Sequence, residues 1–163
     1  MKKNLLLSFI FISPYFVFSQ DNLGEIHGNF ETNLQSYNED LSIEAEEADE
    51  IILNNAYLNI LYNKGNFSAG LRYESYLNAL KDYDPQYKGN GIPHRYATYT
   101  SDGLEVTVGN YYEQFGSGII LRTYEDKGLG VDNSLDGIRL KMSPINGVYL
   151  KGLIGKSRTY FDY

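Results

Sequence analysis

The sequence predicts an all-β protein, specifically an antiparallel up-and-down transmembrane β-barrel, of which this chain holds an incomplete N-terminal portion of about seven strands. Two observations predict this class. Segments of about ten residues are joined alternately by long polar loops and tight turns, and apolar and polar residues alternate within the segments. The predicted strands cover 25–37, 53–62, 67–76, 94–101, 104–115, 137–143 and 148–157.

The connections between these strands follow a long, short, long, short order. Long connections cover 38–52, 77–93 and 116–136, whereas short turns cover 62–66, Asp102-Gly103 and 144–147. Outer-membrane barrels have short turns on the periplasmic side and longer external loops. Bacterial barrels also have an even number of strands, with eight as the smallest number. Seven strands therefore predict the N-terminal part of a larger barrel, covering residues 20–163.

The N-terminus predicts export. Lys2 and Lys3 precede an apolar run over 5–18, and Ser19 provides a small residue before a cleavage site. We interpret residues 1–19 as a signal peptide, cut between Ser19 and Gln20. The alternative is a membrane anchor, but the run contains Pro14 and is shorter than the roughly 20 apolar residues that a spanning helix needs. Together with the strand pattern, this predicts the cell outer membrane as the location.

Composition excludes several functional classes. The formal net charge of −7 argues against a nucleic-acid partner, which requires a basic surface. The chain has no cysteine, and therefore has neither disulfides nor a thiolate metal site. Its 16 tyrosines suit boundaries between apolar and aqueous surroundings, where the ring is buried and the hydroxyl is solvated.

The alternation within strands predicts two chemically different faces. Phe67, Leu71 and Tyr73 share one face of their strand, while Arg72 and Glu74 share the other. We expect the first face to contact lipid and the second to line an aqueous interior. The charged residues expected in the interior are Arg72, Glu74, Glu105, Glu113, Arg139, Lys141 and Lys151. A soluble antiparallel sheet with one wet face produces the same alternation.

Three segments resemble a known family. They are Gly109-Asn110-Tyr111-Tyr112-Glu113-Gln114-Phe115-Gly116-Ser117-Gly118-Ile119-Ile120-Leu121-Arg122, then Gly130-Val131-Asp132-Asn133-Ser134-Leu135-Asp136-Gly137-Ile138-Arg139, then Pro144-Ile145-Asn146-Gly147. The chain resembles the N-terminal region of an uncharacterised family of porin-like β-barrel outer-membrane proteins from Gram-negative bacteria. The resemblance covers nearly the whole mature chain and implies fold and location. It implies no catalytic residue and leaves the substrate open.

No pattern predicts a catalytic, cofactor or metal site. The acidic segment 38–50 is interpreted as a solvated loop, with divalent-cation binding as the alternative. Asp132 to Gly137 is similar to the start of an EF-hand loop, but Ser143 occupies the twelfth position, where a bidentate glutamate belongs. His27 and His94 lack metal-ligand spacing. Glu105 and Glu113 are carboxylates without a partner nucleophile.

The loop 116–136 carries a separate hypothesis. Its apolar residues Ile119, Ile120 and Leu121 suggest that it folds back inside the barrel and constricts it. The residues expected in such a constriction are Arg122, Glu125, Asp126, Asp132 and Asp136, opposite a wall carrying Arg72, Arg139, Lys141 and Lys151. The alternative is an ordinary surface loop.

The sequence therefore predicts a porin-like or structural component of the outer membrane that is not an enzyme. Its expected partners are outer-membrane lipid and either a small solute or another envelope protein. The main alternative is a secreted, soluble β-sandwich that binds carbohydrate or acts as an adhesin. A third possibility is an outer-membrane barrel enzyme that acts on lipid or glycan.

Overall fold

A computed structural model describes residues 23–44, 50–81 and 83–161. The predicted signal peptide and part of the acidic segment, residues 45–49, lie outside these ranges. The described chain is all-β. Its strands are β1 (Glu25–Gln35), β2 (Leu53–Lys64), β3 (Phe67–Leu77), β4 (Gly89–Ser101), β5 (Leu104–Tyr111), β6 (Glu125–Asp126), β7 (Val131–Asp132), β8 (Leu135–Met142) and β9 (Leu150–Ser157), with 3-10 turns at Leu41–Ile43 and Pro85–Tyr87.

Seven strands form one antiparallel sheet in the order β1-β2-β3-β4-β5-β8-β9, and β6 pairs with β7 separately. The predicted meander of seven strands is thus confirmed, but the described sheet is open, with β1 and β9 at its edges. No helix within the described ranges is long and apolar enough to cross a membrane.

Tight turns at one end of the sheet fix its register. β2 and β3 are joined through Gly65-Asn66, and β4 and β5 through Asp102-Gly103. Gly103 has a φ of +68°, and a Cβ there would lie 2.9 Å from the carbonyl oxygen of Ser143. Only glycine fits both the left-handed backbone and this close approach. The turn residues therefore hold the short-turn end of the sheet together.

The start of β4 differs from the prediction. β4 begins at Gly89, not at residue 94, because a β-bulge carries the strand past Pro93. Arg72 pairs with His94 and Glu74 with Gly91, so that two β4 residues, Ile92 and Pro93, oppose Tyr73 alone. A bulge removes the need for a ladder N–H at proline, which is why proline is tolerated there.

The end of β5 also differs from the prediction. β5 ends at Tyr111, not at residue 115, because the chain turns back on itself after Tyr112. The amide of Thr123 donates to the carbonyl oxygen of Glu113 (2.9 Å), and the amide of Phe115 donates to that of Leu121 (3.0 Å). We call residues 113–123 the first hairpin and residues 125–132, with β6 and β7, the second hairpin.

The sheet curls around its polar face. Arg158, directly after β9, donates to both carboxylate oxygens of Glu74 on β3. These strands are four positions apart in the sheet, about 19 Å at normal strand spacing. Phe161 continues across the same face and packs 5.7 Å from the ring of Tyr76. The polar face is therefore concave, and the segment after β9 closes over it.

Candidate functional site

All the charges predicted for the interior lie on the concave face. Pairing across the sheet places Glu31, Tyr57 and Glu74 in one row, and Thr107 with Arg139 in another. The alternate residues of the same strands point to the opposite, convex face. This face carries most of the exposed apolar side chains, including Ile26, Phe30, Leu58, Ile60, Phe67, Tyr99, Val108, Ile138 and Ile154.

Both hairpins fold over the concave face. Glu113 of the first hairpin accepts from Lys151 (2.6 Å), and Lys151 also donates to the carbonyl oxygen of Gln114 (3.3 Å). Lys127 of the second hairpin donates to Glu31 on β1 (2.6 Å), and its carbonyl oxygen accepts from the hydroxyl of Tyr83 (2.7 Å). The second hairpin and the base of the first therefore lie against the polar wall. The apolar residues on which the prediction of an inward fold depended do not follow, because Ile119 and Ile120 at the tip of the first hairpin are 91% and 88% exposed.

A buried ion cluster attaches the second hairpin to the wall. It consists of Arg72, Glu74, Glu125, Asp132 and Arg158. Arg72 contacts Glu74 (2.7 Å), Glu125 (2.8 Å) and Asp132 (2.9 Å). Arg158 pairs with Glu74 (2.8 Å) and with Asp132. Glu74 is fully buried, which is tolerated because two guanidinium groups compensate its charge.

Aromatic side chains cover this cluster at the long-loop end. Tyr76 is central, with its ring 5.8 Å from Tyr57, 5.4 Å from Tyr83 and 5.6 Å from Tyr87. The hydroxyl of Tyr76 donates a hydrogen bond to Glu74 (2.9 Å), which connects the aromatic side chains directly to the buried ion cluster. This packing excludes water from the ion pairs and strengthens them. Burial raises the pKa of Tyr83, which keeps its phenol protonated.

A second group of charges lies nearer the short turns. We call it the charge ladder: Glu105, Glu113, Arg139, Lys141 and Lys151. Arg139 donates to Glu105 (2.8 Å), Lys141 lies 3.1 Å from Glu105, and Lys151 bonds Glu113. Burial would raise the pKa of Glu113, but the bond from Lys151 and the neighbouring cations hold it below its ordinary value. Glu113 thus remains an anion that anchors the first hairpin.

The charges do not oppose one another as the sequence predicted. Of the expected wall residues, Arg72 meets the second hairpin, whereas Arg139, Lys141 and Lys151 pair with Glu105 and Glu113. Asp136 belongs to β8 and not to the loop, and it points to the convex face, 3.5 Å from Arg95. Arg122 is exposed over the ring of Tyr124, and Asp126 accepts from the amides of Gly128 and Leu129.

Sequence reasoning missed Arg158 and the two hairpin folds. Arg158 follows a predicted strand end, where a single basic residue is usually solvated. Its role depends on a contact with Glu74, 84 positions earlier in the chain. No local pattern encodes such a contact, and only the curvature of the sheet reveals it.

The three acidic members of the buried ion cluster do not make a cation site. Oxygens of Glu74, Glu125 and Asp132 lie within 4.8 Å of one another. However, each of these carboxylates already pairs with Arg72, and Arg158 pairs with Glu74 and Asp132, so that the two guanidinium groups take the place that a cation would fill. The EF-hand-like residues Asp132 and Asp136 are on opposite faces of the sheet and do not converge on one point.

Comparison with known proteins places the chain in one family. Residues 1–163 match the model of a family of unknown function, DUF6029. The chain belongs to DUF6029. Neither the curated proteins nor the solved structures gave a match. The features of this DUF6029 member that point to its function are therefore the two chemically different faces of its sheet.

The attachment of the second hairpin should depend on pH through Asp132. Burial would raise the pKa of Asp132, but Arg158, the amide of Ser134 and Arg72 outweigh burial and hold it below 3.8. A group with a lowered folded-state pKa stabilises the fold fully above its unfolded pKa, near 3.9, and this contribution is lost as pH falls through the folded-state value.

A spin label at exposed Leu129 should measure this dependence. In the Leu129→Cys protein, we expect the label to stay immobile down to about pH 5 and to become mobile at lower pH. Adding Asp132→Asn should make the label mobile at neutral pH. A mobility change centred near neutral pH would contradict the assignment to this carboxylate.

Proposed function

We propose that this DUF6029 member forms part of the wall of an outer-membrane β-barrel and acts as a porin-like or structural envelope component without enzymatic activity. One observation carries the proposal: the apolar face of the sheet is exposed and the polar face is covered over the central strands. Glu74 and Thr107 on the polar face are 0% and 2% exposed, whereas Ile26 and Ile154 on the convex face are 73% and 72% exposed. A water-soluble protein has the opposite arrangement.

The dimensions of the convex face suit a bilayer. Seven strands with six spacings make it about 29 Å wide. The strands have eight to thirteen residues and are about 26–43 Å long, which at a barrel tilt of about 35–45° spans roughly 19–35 Å along the membrane normal. Barrels present an outward apolar band about 25 Å tall. An exposed apolar surface of this extent is far larger than the patches of ordinary soluble monomers. Lipid acyl chains are the partner that would cover this apolar surface at the lowest cost in free energy.

The edges of the convex face have the chemistry of a membrane interface. Toward the long loops, Arg95, Asp136 and Lys156 form a polar row across β4, β8 and β9. Toward the short turns, Tyr62 and Phe67 pack at 6.4 Å, and Phe67 pairs with Tyr99. Aromatic rings are enriched where lipid headgroups meet water. The apolar band is thus bounded by polar residues on one side and aromatic residues on the other.

The soluble β-sandwich is less well supported. A sandwich would bury the apolar face against a second sheet. Within the described ranges, the other paired segment is the two-residue ladder β6-β7, and it lies on the polar face. The convex face therefore has no protein partner in the described part of the chain.

Membrane fractionation tests the proposal. Expressed with its export signal in a Gram-negative host, the protein should sediment with outer membranes and remain there after an alkaline carbonate wash. A peripheral protein is released by that wash. Recovery in the soluble periplasmic fraction would overturn the proposal.

The first hairpin should limit passage through such a barrel. Its residues Glu113 and Phe115 are held over the wall by Lys151, so that the base of the hairpin lies on the concave face and its tip extends away from the wall. Replacing residues 115–121 by two glycines should speed swelling of proteoliposomes in neutral solutes. An equal shortening of the acidic segment 39–44 serves as the control. Unchanged swelling after the hairpin replacement would contradict an obstructing role.

A further inference from the structure

A cleft of about 270 Å³ opens on the concave face between the buried ion cluster and the charge ladder. Residues of β4, β5 and β8 line it together with the residue directly after β5, among them His94, Tyr96, Thr98, Thr107, Tyr112 and Arg139. This volume is close to the lower end for small-ligand pockets, about 300 Å³, and suits a ligand the size of one pyranose ring.

The aromatic walls of this cleft are fixed in place. The ring of Tyr96 lies over Gly70, where a Cβ would stand 2.5 Å from it. The ring of Tyr112 is stacked on His94, with 5.5 Å between centroids and 20° between planes, and its hydroxyl donates to Asp132 (3.0 Å). Rigid aromatic rings provide contact area with little loss of entropy on binding.

The floor of the cleft is polar but carries no unbalanced charge. The hydroxyls of Thr98 and Thr107 are 3.0 Å apart, and Arg139 donates to Thr107 (3.1 Å). Glu105 and Glu113 offset the charge of Arg139. A charged ligand would have to break one of these pairs, whereas a neutral ligand with hydroxyl groups would leave them intact.

Two buried polar atoms beside the cleft lack a hydrogen-bond partner among the described residues. They are Nε2 of His94 and Nε of Arg139. Buried polar atoms without partners are rare and costly. Both atoms belong to residues that line the cleft, so hydroxyl groups of a ligand there could serve as their partners.

From these features, we propose that the cleft binds a neutral pyranose sugar. Sugar rings present C–H faces that pack on aromatic rings and a rim of hydroxyls that both donate and accept. The cleft offers the matching surfaces: Tyr96 and Tyr112 for the ring faces, and Thr98 and Arg139 for the hydroxyls. The proposal goes beyond membrane location, because strands of one sheet form the cleft whether or not lipid covers the other face.

Saturation-transfer NMR tests the proposal on the full-length protein in a detergent that contains no sugar. Glucose and maltose should receive magnetisation from the protein, and glucose 6-phosphate should bind more weakly than glucose. Thr98→Val should weaken binding roughly two- to twelve-fold, the effect of one lost hydrogen bond. Thr100→Val, on the same face of β4 but outside the cleft, should leave it unchanged.

A second variant guards against a simple folding defect. Tyr96→Leu removes a wall of the cleft and should abolish transfer when the spectra are recorded well below the unfolding midpoint of the variant, so that lost transfer reports lost binding and not unfolding. The proposal is overturned if neither neutral sugar receives magnetisation, if glucose 6-phosphate binds more tightly, or if Thr100→Val weakens binding as much as Thr98→Val. None of these outcomes bears on membrane insertion, which the carbonate wash tests separately.

Discussion

Replacing Arg158 by methionine should lower the free energy of unfolding by about 3–5 kcal/mol, the usual cost of removing one partner from a buried ion pair. Arg158 bonds Glu74 and Asp132, and Glu74 is fully buried. The substitution leaves three carboxylates of the buried ion cluster facing Arg72 alone. It also removes the bond between the end of β9 and β3, so that the curled sheet loses an ionic contact between strands four positions apart.

Lys127→Met is the matched control for Arg158→Met. Lys127 also pairs with a glutamate across the concave face, but that pair is solvent-exposed on both sides, at 35% and 52%. Exposed pairs contribute about 0–1 kcal/mol. Urea unfolding of both variants in the same detergent measures the difference. Equal destabilisation by the two substitutions would show that burial of the cluster does not stabilise the fold.

Ile60→Arg should impair membrane assembly, whereas Leu61→Arg should not. The two residues are neighbours on β2 with nearly equal exposure, 38% and 41%, but they lie on the convex and the concave face respectively. An arginine facing hydrocarbon at the bilayer centre costs about 2–4 kcal/mol, and one facing an aqueous interior has no such cost. A soluble sheet would tolerate both substitutions alike, because both side chains are already accessible.

The yield of protein in the carbonate-washed outer membrane measures this effect. We expect Ile60→Arg to reduce the yield severalfold relative to Leu61→Arg. Similar yields for both variants, whether high or low, would contradict the assignment of the convex face to lipid.

Local sequence pattern predicted the strands wherever alternation was strong. β2 and β3 match their predicted positions within two residues, because Phe67 to Glu74 alternate without interruption. The prediction failed at β4, where Gly89, Gly91 and Pro93 indicated a loop. A bulge, which depends on the neighbouring strand, accommodates them within the sheet. The strand propensities of these residues alone therefore do not predict that β4 begins at Gly89.

The sequence predicted which charged residues share the concave face, but not which of them contact one another. Alternation placed Arg72, Glu74, Glu105, Arg139, Lys141 and Lys151 on one face, and the structure has them there. Their partners were not predictable, because Arg72 with Asp132 and Arg158 with Glu74 join residues 60 and 84 positions apart. The position of Asp136 within β8 was not predictable either, because it follows from pairing with Asn110 and not from the residues adjacent in sequence.

Fluorescence quenching at positions 60 and 61 is the most direct test of whether the convex face of the sheet contacts lipid. The chain has no cysteine, so Ile60→Cys and Leu61→Cys each provide a single site for a polarity-sensitive dye. In bilayers with quenchers attached to the acyl chains, we expect strong quenching at position 60 and little at position 61, with the reverse for iodide in water. Equal quenching at both positions, or none from the acyl chains at either, would contradict the assignment of the convex face to the membrane.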